Sequence, residues 1–173
     1  MKWFPFFILA YVALGIQFGL SGYAMVWQAR PNFVLVAVIF VAMNATRNSA
    51  LIGCLLLGLM QDAITQQAPP GLAAFSYGVI AILIVNTREV VDRDHFLTHI
   101  SLAILGGLIY AVIAALHGWL YYGYIRANLK PMRPAGGPLF VGALYSGILA
   151  PLVMMLLRRT KRTFGFRPAR THV

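Results

Sequence analysis

The stretch that decides the fold class covers residues 98–122 and reads THISLAILGGLIYAVIAALHGWLYY. It contains no Asp, Glu, Lys or Arg, and it exceeds the roughly 20 apolar residues that a helix needs to cross the hydrocarbon core of a bilayer. Uncharged runs in the core helices of soluble proteins are typically shorter. We therefore predict a membrane-spanning helix at this position.

Apolar runs on both sides of this stretch predict five more helices. Their expected ranges are residues 3–20, 31–45, 49–65, 72–86 and 138–157. The first run is longer than the apolar part of a signal peptide, and no A-x-A cleavage site follows it, so we expect a retained helix. The predicted fold class is all-α integral membrane, with about six transmembrane helices.

The overall composition supports this prediction. Hydrophobic residues make up 60% of the 173 residues, charged residues make up 10%, and the mean hydropathy is +0.77. A soluble domain has about 25% charged residues. The predicted helices fill residues 1–157 as one transmembrane domain and leave no room for a soluble one. Residues 158–173 form a basic tail.

The net charge of +10 is interpreted as an orientation signal. Most Lys and Arg residues lie in short gaps between apolar runs and in the tail. The tail contains Arg158, Arg159, Lys161, Arg162, Arg167 and Arg170. Because cytoplasmic segments carry the excess of basic residues, we expect a multi-pass protein of the inner (cytoplasmic) membrane with both termini in the cytoplasm. Membrane lipids are expected contacts, and no nucleic acid is expected, because no folded basic face follows phosphates.

Asp62 is the sharpest candidate for function, because it is the one acid inside an apolar run. An acid at membrane depth is costly and usually functional. Three interpretations stay open. Asp62 reaches the interface or caps the next segment, it makes a structural bond inside the bundle, or it takes part in proton or substrate chemistry. The candidate partners are Gln61, Ser76, Tyr77 and His117.

Small residues one turn apart let helices approach closely in lipid. The pairs of this kind are Gly15 with Gly19, Ala111 with Ala115, and Ala143 with Gly147. They serve either packing within the fold or docking of another protein's helix. Pro151 lies inside the last apolar run, where it removes a backbone hydrogen bond and predicts a kink.

No residue pattern typical of an enzyme occurs in the sequence. It has no GxSxG, HExxH or P-loop motif, and no paired acids inside an apolar run. His95 and His99 have the spacing of metal ligands, but no third ligand accompanies them, so we expect neither a metal site nor a cofactor. The charged residues 88–95 form either a solvated loop or a docking site for a cytoplasmic partner. We expect a protein that is not an enzyme.

Four segments, in order along the chain, resemble the MreD family of rod shape-determining proteins. Residues 30–35 (RPNFVL) resemble the family's R-P-(N/D) motif, and residues 53–62 (GCLLLGLMQD) resemble its glycine-containing segment that ends in Asp. Residues 70–77 (PGLAAFSY) resemble its next turn and helix, and residues 147–151 (GILAP) resemble its last helix. The candidate residues in these segments are Arg30, Pro31, Asn32, Gly58, Gln61, Asp62, Gly71, Gly147 and Pro151.

The resemblance implies a non-enzymatic scaffold of the bacterial cell-elongation (rod) complex. MreD proteins bind MreC, and through it they connect to MreB, to RodA and to a class B penicillin-binding protein in peptidoglycan synthesis. The implied fold is similar to the S-component of energy-coupling-factor transporters. We expect the MreC helix to pack on a small-residue face and Asp62 to fix the turn between the third and fourth helices. The competing function is a vitamin-binding S-component, which needs a polar pocket open to the outside.

Overall fold

The computed structural model describes residues 3–20, 23, 31–65, 71–88, 96–125 and 136–164. These residues form six α-helices, as the apolar runs predict. In chain order they are α1 (Trp3–Leu20), α2 (Phe33–Asn44), α3 (Arg47–Ile64), α4 (Leu72–Thr87), α5 (Phe96–Ile125) and α6 (Gly136–Phe164). The all-helical class is confirmed. The last helix extends beyond the predicted end at residue 157, so the first part of the basic tail is helical.

The short helix α2 lies at the centre of the bundle. It has 12 residues, and each residue from Val34 to Met43 is buried. It contacts α1, α3, α4, α5 and α6. A helix that is apolar on all sides must be covered on all sides, which explains this position. Its length of about 18 Å is less than the hydrocarbon thickness of about 30 Å, so other segments must provide its polar surroundings at each end.

The start of α2 differs from the prediction. Pro31 was expected in the first turn of the helix, but α2 begins at Phe33 and Asn32 is its N-cap. The Asn32 Oδ1 accepts a hydrogen bond from the Leu35 amide at 2.9 Å. An Asn side chain that bonds the backbone in this way favours a cap over the helix interior, so Pro31 precedes the cap.

Two helix pairs pack closely through small residues. In the pair α3 and α4, Gly58 faces the backbone of Ala73 and Ala74. In the pair α5 and α6, an ideal Cβ on Gly107 would lie 2.7 Å from the Cβ of Ala143. Such contacts bring backbones together and gain dispersion energy, which is the main attraction between helices in lipid.

The described surface is consistent with a helical membrane protein. Within the described ranges, one helix, Leu97–Leu120 with 24 residues, is long and apolar enough to cross a membrane. The shorter apolar helices are Trp3–Gly19, Phe33–Asn44, Leu72–Thr87 and Val141–Met155. Large apolar side chains are exposed along the outer helices, such as Ile148 at 69% and Leu152 at 67%. Hydrocarbon tolerates a surface of this kind, whereas water does not.

Candidate functional site

The first residues of α2 obtain their hydrogen bonds from other helices. The early amides of a helix have no partner within the helix. Here the Phe33 amide donates to Gln17 Oε1 of α1 at 2.7 Å, and Gln17 Nε2 donates to the Pro31 carbonyl at 3.2 Å. The Asn32 amide donates to Ser146 Oγ of α6 at 2.8 Å. The sequence of α2 alone could not provide these partners, so α1 and α6 are tied to its start.

Tyr77 of α4 connects the same point to α3. Its hydroxyl accepts a hydrogen bond from Asn32 Nδ2 at 2.9 Å and donates to Gln61 Oε1 at 2.8 Å. The ring packs against Tyr110 of α5, with 5.8 Å between the ring centroids. Tyr77 is fully buried, and Gln61 is buried as well. The bonded residues form what we call the α2 start cluster, composed of Gln17, Asn32, Gln61, Tyr77 and Ser146.

The α2 start cluster is a neutral network of amides and hydroxyls. Within the described part of the chain, every buried side-chain nitrogen and oxygen has a hydrogen-bond partner. Satisfied networks of this kind hold elements in one arrangement, because any rearrangement leaves polar groups unpaired in a medium of low dielectric. The cluster therefore fixes α1, α3, α4 and α6 around α2, and it contains no ionised group for acid–base chemistry.

Asp62 lies next to this cluster, and from the end of α3 it caps the start of α4. Its Oδ1 accepts a hydrogen bond from the Ala73 amide at 3.0 Å, and its Oδ2 accepts one from the Ala74 amide at 2.9 Å. The N-cap of α4 is Gly71, which has no side chain to bond these amides. A carboxylate at a helix N-terminus also interacts favourably with the helix dipole. Asp62 therefore provides the side-chain cap that Gly71 cannot provide.

Three of the four side-chain partners expected for Asp62, namely Gln61, Ser76 and Tyr77, have other bonds. Gln61 and Tyr77 bond each other, and the Ser76 hydroxyl donates to the Leu72 carbonyl at 2.7 Å. The two bonds described for Asp62 go to backbone amides instead. This difference has a simple cause. The first turn of α4 presents two unpaired N–H donors beside Asp62, and a carboxylate bonds such donors strongly.

Gly58 allows the start of α4 to come close enough to α3 for Asp62 to cap it. An ideal Cβ on Gly58 would lie 2.6 Å from the Ala74 nitrogen and 2.8 Å from the Ala73 carbonyl carbon. Any larger residue would push α4 away. Residues four apart share a helix face, so the glycine that admits the start of α4 stands one turn from the acid that caps it. Gly71 has a φ of +91°, which favours glycine at the entrance to α4.

Two of the three small-residue pairs have contrasting surroundings. Ala143 and Gly147 pack inside the molecule, the first against Gly107 and the second against Ile104 of α5. Gly15 and Gly19 of α1 are different, because no atom from another part of the described chain lies within 4 Å of an ideal Cβ on either residue. Of the two uses open from the sequence, internal packing fits Ala143 and Gly147, whereas Gly15 and Gly19 have no such neighbour.

The glycines of α1 belong to an exposed face of that helix. The residues of this α1 face are Phe4, Ile8, Tyr11, Gly15, Phe18 and Gly19, and all are exposed. Phe4 is 78% exposed and Tyr11 is 80% exposed. A groove of about 550 Å³ runs beside Tyr11 and Gly15 and extends to Ile64 at the end of α3. The opposite side of α1 packs on the bundle core through buried residues such as Phe6 and Leu9.

Arg88 closes the other end of α2. Its Nη1 donates to the Ala45 carbonyl at 2.6 Å and to the Ala42 carbonyl at 3.4 Å. The last carbonyls of a helix lack partners within the helix, and a cation there also favours the dipole. The sequence marked Arg88 only as one charge of a loop, so its buried position is a finding of the structure.

The remaining predicted residues either lie apart from the α2 start cluster or are outside the described residues. Arg30 and the charged residues 89–95 are outside the described residues. Pro151 is buried inside α6, and a kink there stays a prediction. Over the described ranges, no three His, Cys, Asp or Glu side chains are grouped to hold a metal.

Sequence reasoning missed Gln17 and Ser146. Each is an isolated polar residue inside an apolar run, and such residues usually find a hydrogen-bond partner in the bundle. That signal was present in the sequence, although it does not identify the partner. Asn32 and Gln61 were predicted as candidates, and the structure brings both into one network with Tyr77.

Comparison with known proteins places the chain in a family. A family model for the rod shape-determining protein MreD matches residues 1–160. No curated protein matches the chain, and no solved structure matches it. The similarity to the S-component fold therefore stays an expectation, and no finding supports the competing function of a vitamin-binding S-component. The matched region includes every helix residue described up to Thr160.

Proposed function

Because the chain belongs to the MreD family of rod shape-determining proteins, we propose that it is a non-enzymatic membrane scaffold of the cell-elongation complex. In this role it binds MreC and connects through it to MreB, to RodA and to a class B penicillin-binding protein. Control of cell shape and of peptidoglycan synthesis follows from holding these partners together. The described structure suits such a role, since its buried polar groups bond one another and fix the helices.

We place the protein in the inner membrane with six crossings and both termini in the cytoplasm. The basic residues of the tail support this orientation, because cytoplasmic segments carry the excess of Lys and Arg. The position of Arg88 agrees with it. Arg88 bonds the C-terminal end of α2, and in this orientation that end faces the cytoplasm. The α2 start cluster, at the opposite end of α2, then faces the outer side.

The observation that carries the proposal of MreC binding is the open α1 face. The glycines Gly15 and Gly19 have no neighbour in the described structure, although small residues at this spacing elsewhere in the chain pack against another helix. A membrane helix gains little from small residues that face lipid. It gains close backbone packing when they face a second helix. We therefore propose that the membrane helix of MreC packs along the α1 face.

Co-purification in mild detergent tests this proposal. The tagged protein is purified from its own cells as wild type, Gly15→Leu and Gly118→Leu. Gly118 of α5 is a matched control, because among the described residues it too has no neighbour within 4 Å of an ideal Cβ. We expect wild type and Gly118→Leu to recover MreC in similar amounts, and Gly15→Leu to lose most of it. Equal recovery by both variants would place the partner on another face, and recovery of ATPase subunits would contradict the scaffold role.

A further inference from the structure

The last helix of the bundle, α6 (Gly136–Phe164), is longer than the membrane is thick. Its 29 residues give about 44 Å of helix, whereas the hydrocarbon core is about 30 Å thick. Ser146 bonds the Asn32 amide at the start of α2, and Met154, two turns later, packs in the core around α2. α6 therefore runs in the same direction as α2. Since α2 has 12 residues, α6 passes the end of α2 near Arg158.

The contacts with α5 show the same projection. Ala143 packs against Gly107, and four residues later Gly147 packs against Ile104, so the two helices are antiparallel. At this spacing, about nine residues of α6, or about 14 Å of helix, extend past Phe96, the first residue of α5. In the proposed orientation this end of α6 projects into the headgroup layer on the cytoplasmic side.

The exposed apolar side of α6 continues into arginines. Ile148, Leu152 and Met155 are exposed by 69%, 67% and 60% of their surface. They lie four and three residues apart, which places them on one face of the helix. The same spacing continues with Arg159 and Arg162, both of which lie inside α6. An apolar stripe, composed of Ile148, Leu152 and Met155, thus leads to two cations at the end of the helix.

The end of α6 carries more positive charge than the chain can neutralise. Its basic residues are Arg158, Arg159, Lys161 and Arg162, and no Asp or Glu follows Asp94 in the sequence. The three acids of residues 88–95 are accompanied by two arginines, which leaves one net negative charge. The remaining acid, Asp62, caps α4 from the opposite end of α3. Because like charges on one helix face repel each other, an anion from outside the chain is favoured here.

We propose that this end of α6 binds an anionic phospholipid of the cytoplasmic leaflet. Arg159 and Arg162 hold the headgroup phosphate, and an acyl chain lies along Leu152 and Met155. The lipid carries a net negative charge, as phosphatidylglycerol does, because a zwitterionic headgroup would bring its own cation to the site. This inference goes beyond the binding of MreC and needs only the proposed orientation in the membrane.

A phospholipid fits this end of α6 better than a free anion or an acidic protein does. Guanidinium groups bond phosphate oxygens in pairs, and residues three apart on a helix are neighbours, so Arg159 and Arg162 suit one phosphate. A free phosphate would leave the apolar stripe unused, and a cytoplasmic protein does not enter the hydrocarbon layer to cover it. Basic residues beside a membrane helix each strengthen the attraction to anionic lipid by about fivefold.

Two double variants of equal charge test the site. Arg159→Gln with Arg162→Gln removes the arginines in line with the apolar stripe. Arg158→Gln with Lys161→Gln removes two charges from the same turns, but in register with the buried Met154. Each full-length protein is purified in detergent and titrated with phosphatidylglycerol or phosphatidylcholine, and native mass spectrometry measures the affinity for each lipid. We expect wild type to prefer phosphatidylglycerol, the first variant to lose this preference by about tenfold or more, and the second to keep most of it.

The inference is overturned if wild type shows no such preference, or if the two double variants lose it equally, since equal losses indicate diffuse attraction to charge. Displacement of the lipid by inorganic phosphate would also overturn it. Leu152→Ala gives a second measurement. It should weaken the binding of both lipids, and unchanged binding would contradict the position of the acyl chain. A failure of the proposed function appears separately, as equal recovery of MreC by wild type and Gly15→Leu.

Discussion

The Asp62 carboxylate of α3 accepts a hydrogen bond from the Ala74 amide of α4 at 2.9 Å, and the neighbouring Ala73 amide bonds the same carboxylate. This contact joins the end of one helix to the start of the next. It lies one turn from Gly58, where the two backbones approach closely. The acid that the sequence marks as costly in a membrane is therefore paired with two backbone donors, which offsets much of that cost.

Replacing Asp62 should loosen the contact between α3 and α4. The variant Asp62→Ala leaves two amides of the first turn of α4 without their partner, and losing a cap costs about 1–2 kcal/mol. Asp62→Asn keeps one acceptor oxygen, so we expect a smaller loss. The measurement is the free energy of unfolding, or the midpoint of thermal unfolding, in detergent. An Asp62→Ala protein as stable as wild type would show that the cap contributes nothing.

Enlarging Gly58 should also destabilise the protein, for a steric reason. A Cβ at this position meets backbone atoms of Ala73 and Ala74, which cannot move aside by a change of rotamer. We expect Gly58→Ala to cost about 1–3 kcal/mol. Gly15→Ala is the control, since an added methyl group there meets no atom of the other described segments within 4 Å. The measurement is the midpoint of thermal unfolding of both variants in the same detergent. Equal midpoints would contradict the close approach of α4 to Gly58.

The hydroxyl of Tyr77 should matter more than that of Tyr110, although their rings are in contact. Tyr77→Phe removes the described partner of the buried Gln61 Oε1 and of the Asn32 Nδ2. A hydrogen bond of this kind is worth about 1 kcal/mol in a membrane bundle. No hydrogen bond of Tyr110 is described, so Tyr110→Phe should change the stability little. The prediction fails if both substitutions lower the unfolding midpoint equally.

The proposed topology predicts the location of the C-terminus. Because the basic tail follows the sixth crossing, a fluorescent protein fused after residue 173 should fold in the cytoplasm and fluoresce. Alkaline phosphatase fused at the same point should be inactive, because it needs an oxidising compartment for its disulfides. An active phosphatase fusion together with a dark fluorescent fusion would place the C-terminus outside and contradict the proposed orientation.

The helices could be predicted from the sequence because apolar runs of sufficient length are separated by charges, prolines and glycines. The ranges of α1 and α4 agree closely with the predicted ones. The arrangement around α2 could not be predicted. A run such as FVLVAVIFVAMN shows that a helix is apolar on all sides, but it does not show whether lipid or protein covers it.

The candidate site was predicted in part. Asp62 stood out as an acid inside an apolar run, Gln61 as one of its candidate partners, and Asn32 through its resemblance to the family motif. The structure gives each of them hydrogen bonds. The identity of the partners depends on helix packing, which local pattern does not contain. For the same reason, the sequence could not show that Gly15 lies open while Gly147 packs against Ile104.

Cell shape provides the most direct measurement of the central claim, that the α1 face binds a partner of the rod-shape system. Cells that lack the native gene are complemented with wild type, Gly15→Leu or Gly118→Leu at equal protein levels, and cell width and length are measured by microscopy. We expect rods with wild type and Gly118→Leu, and rounded cells with Gly15→Leu. Rods of normal width with Gly15→Leu would contradict it.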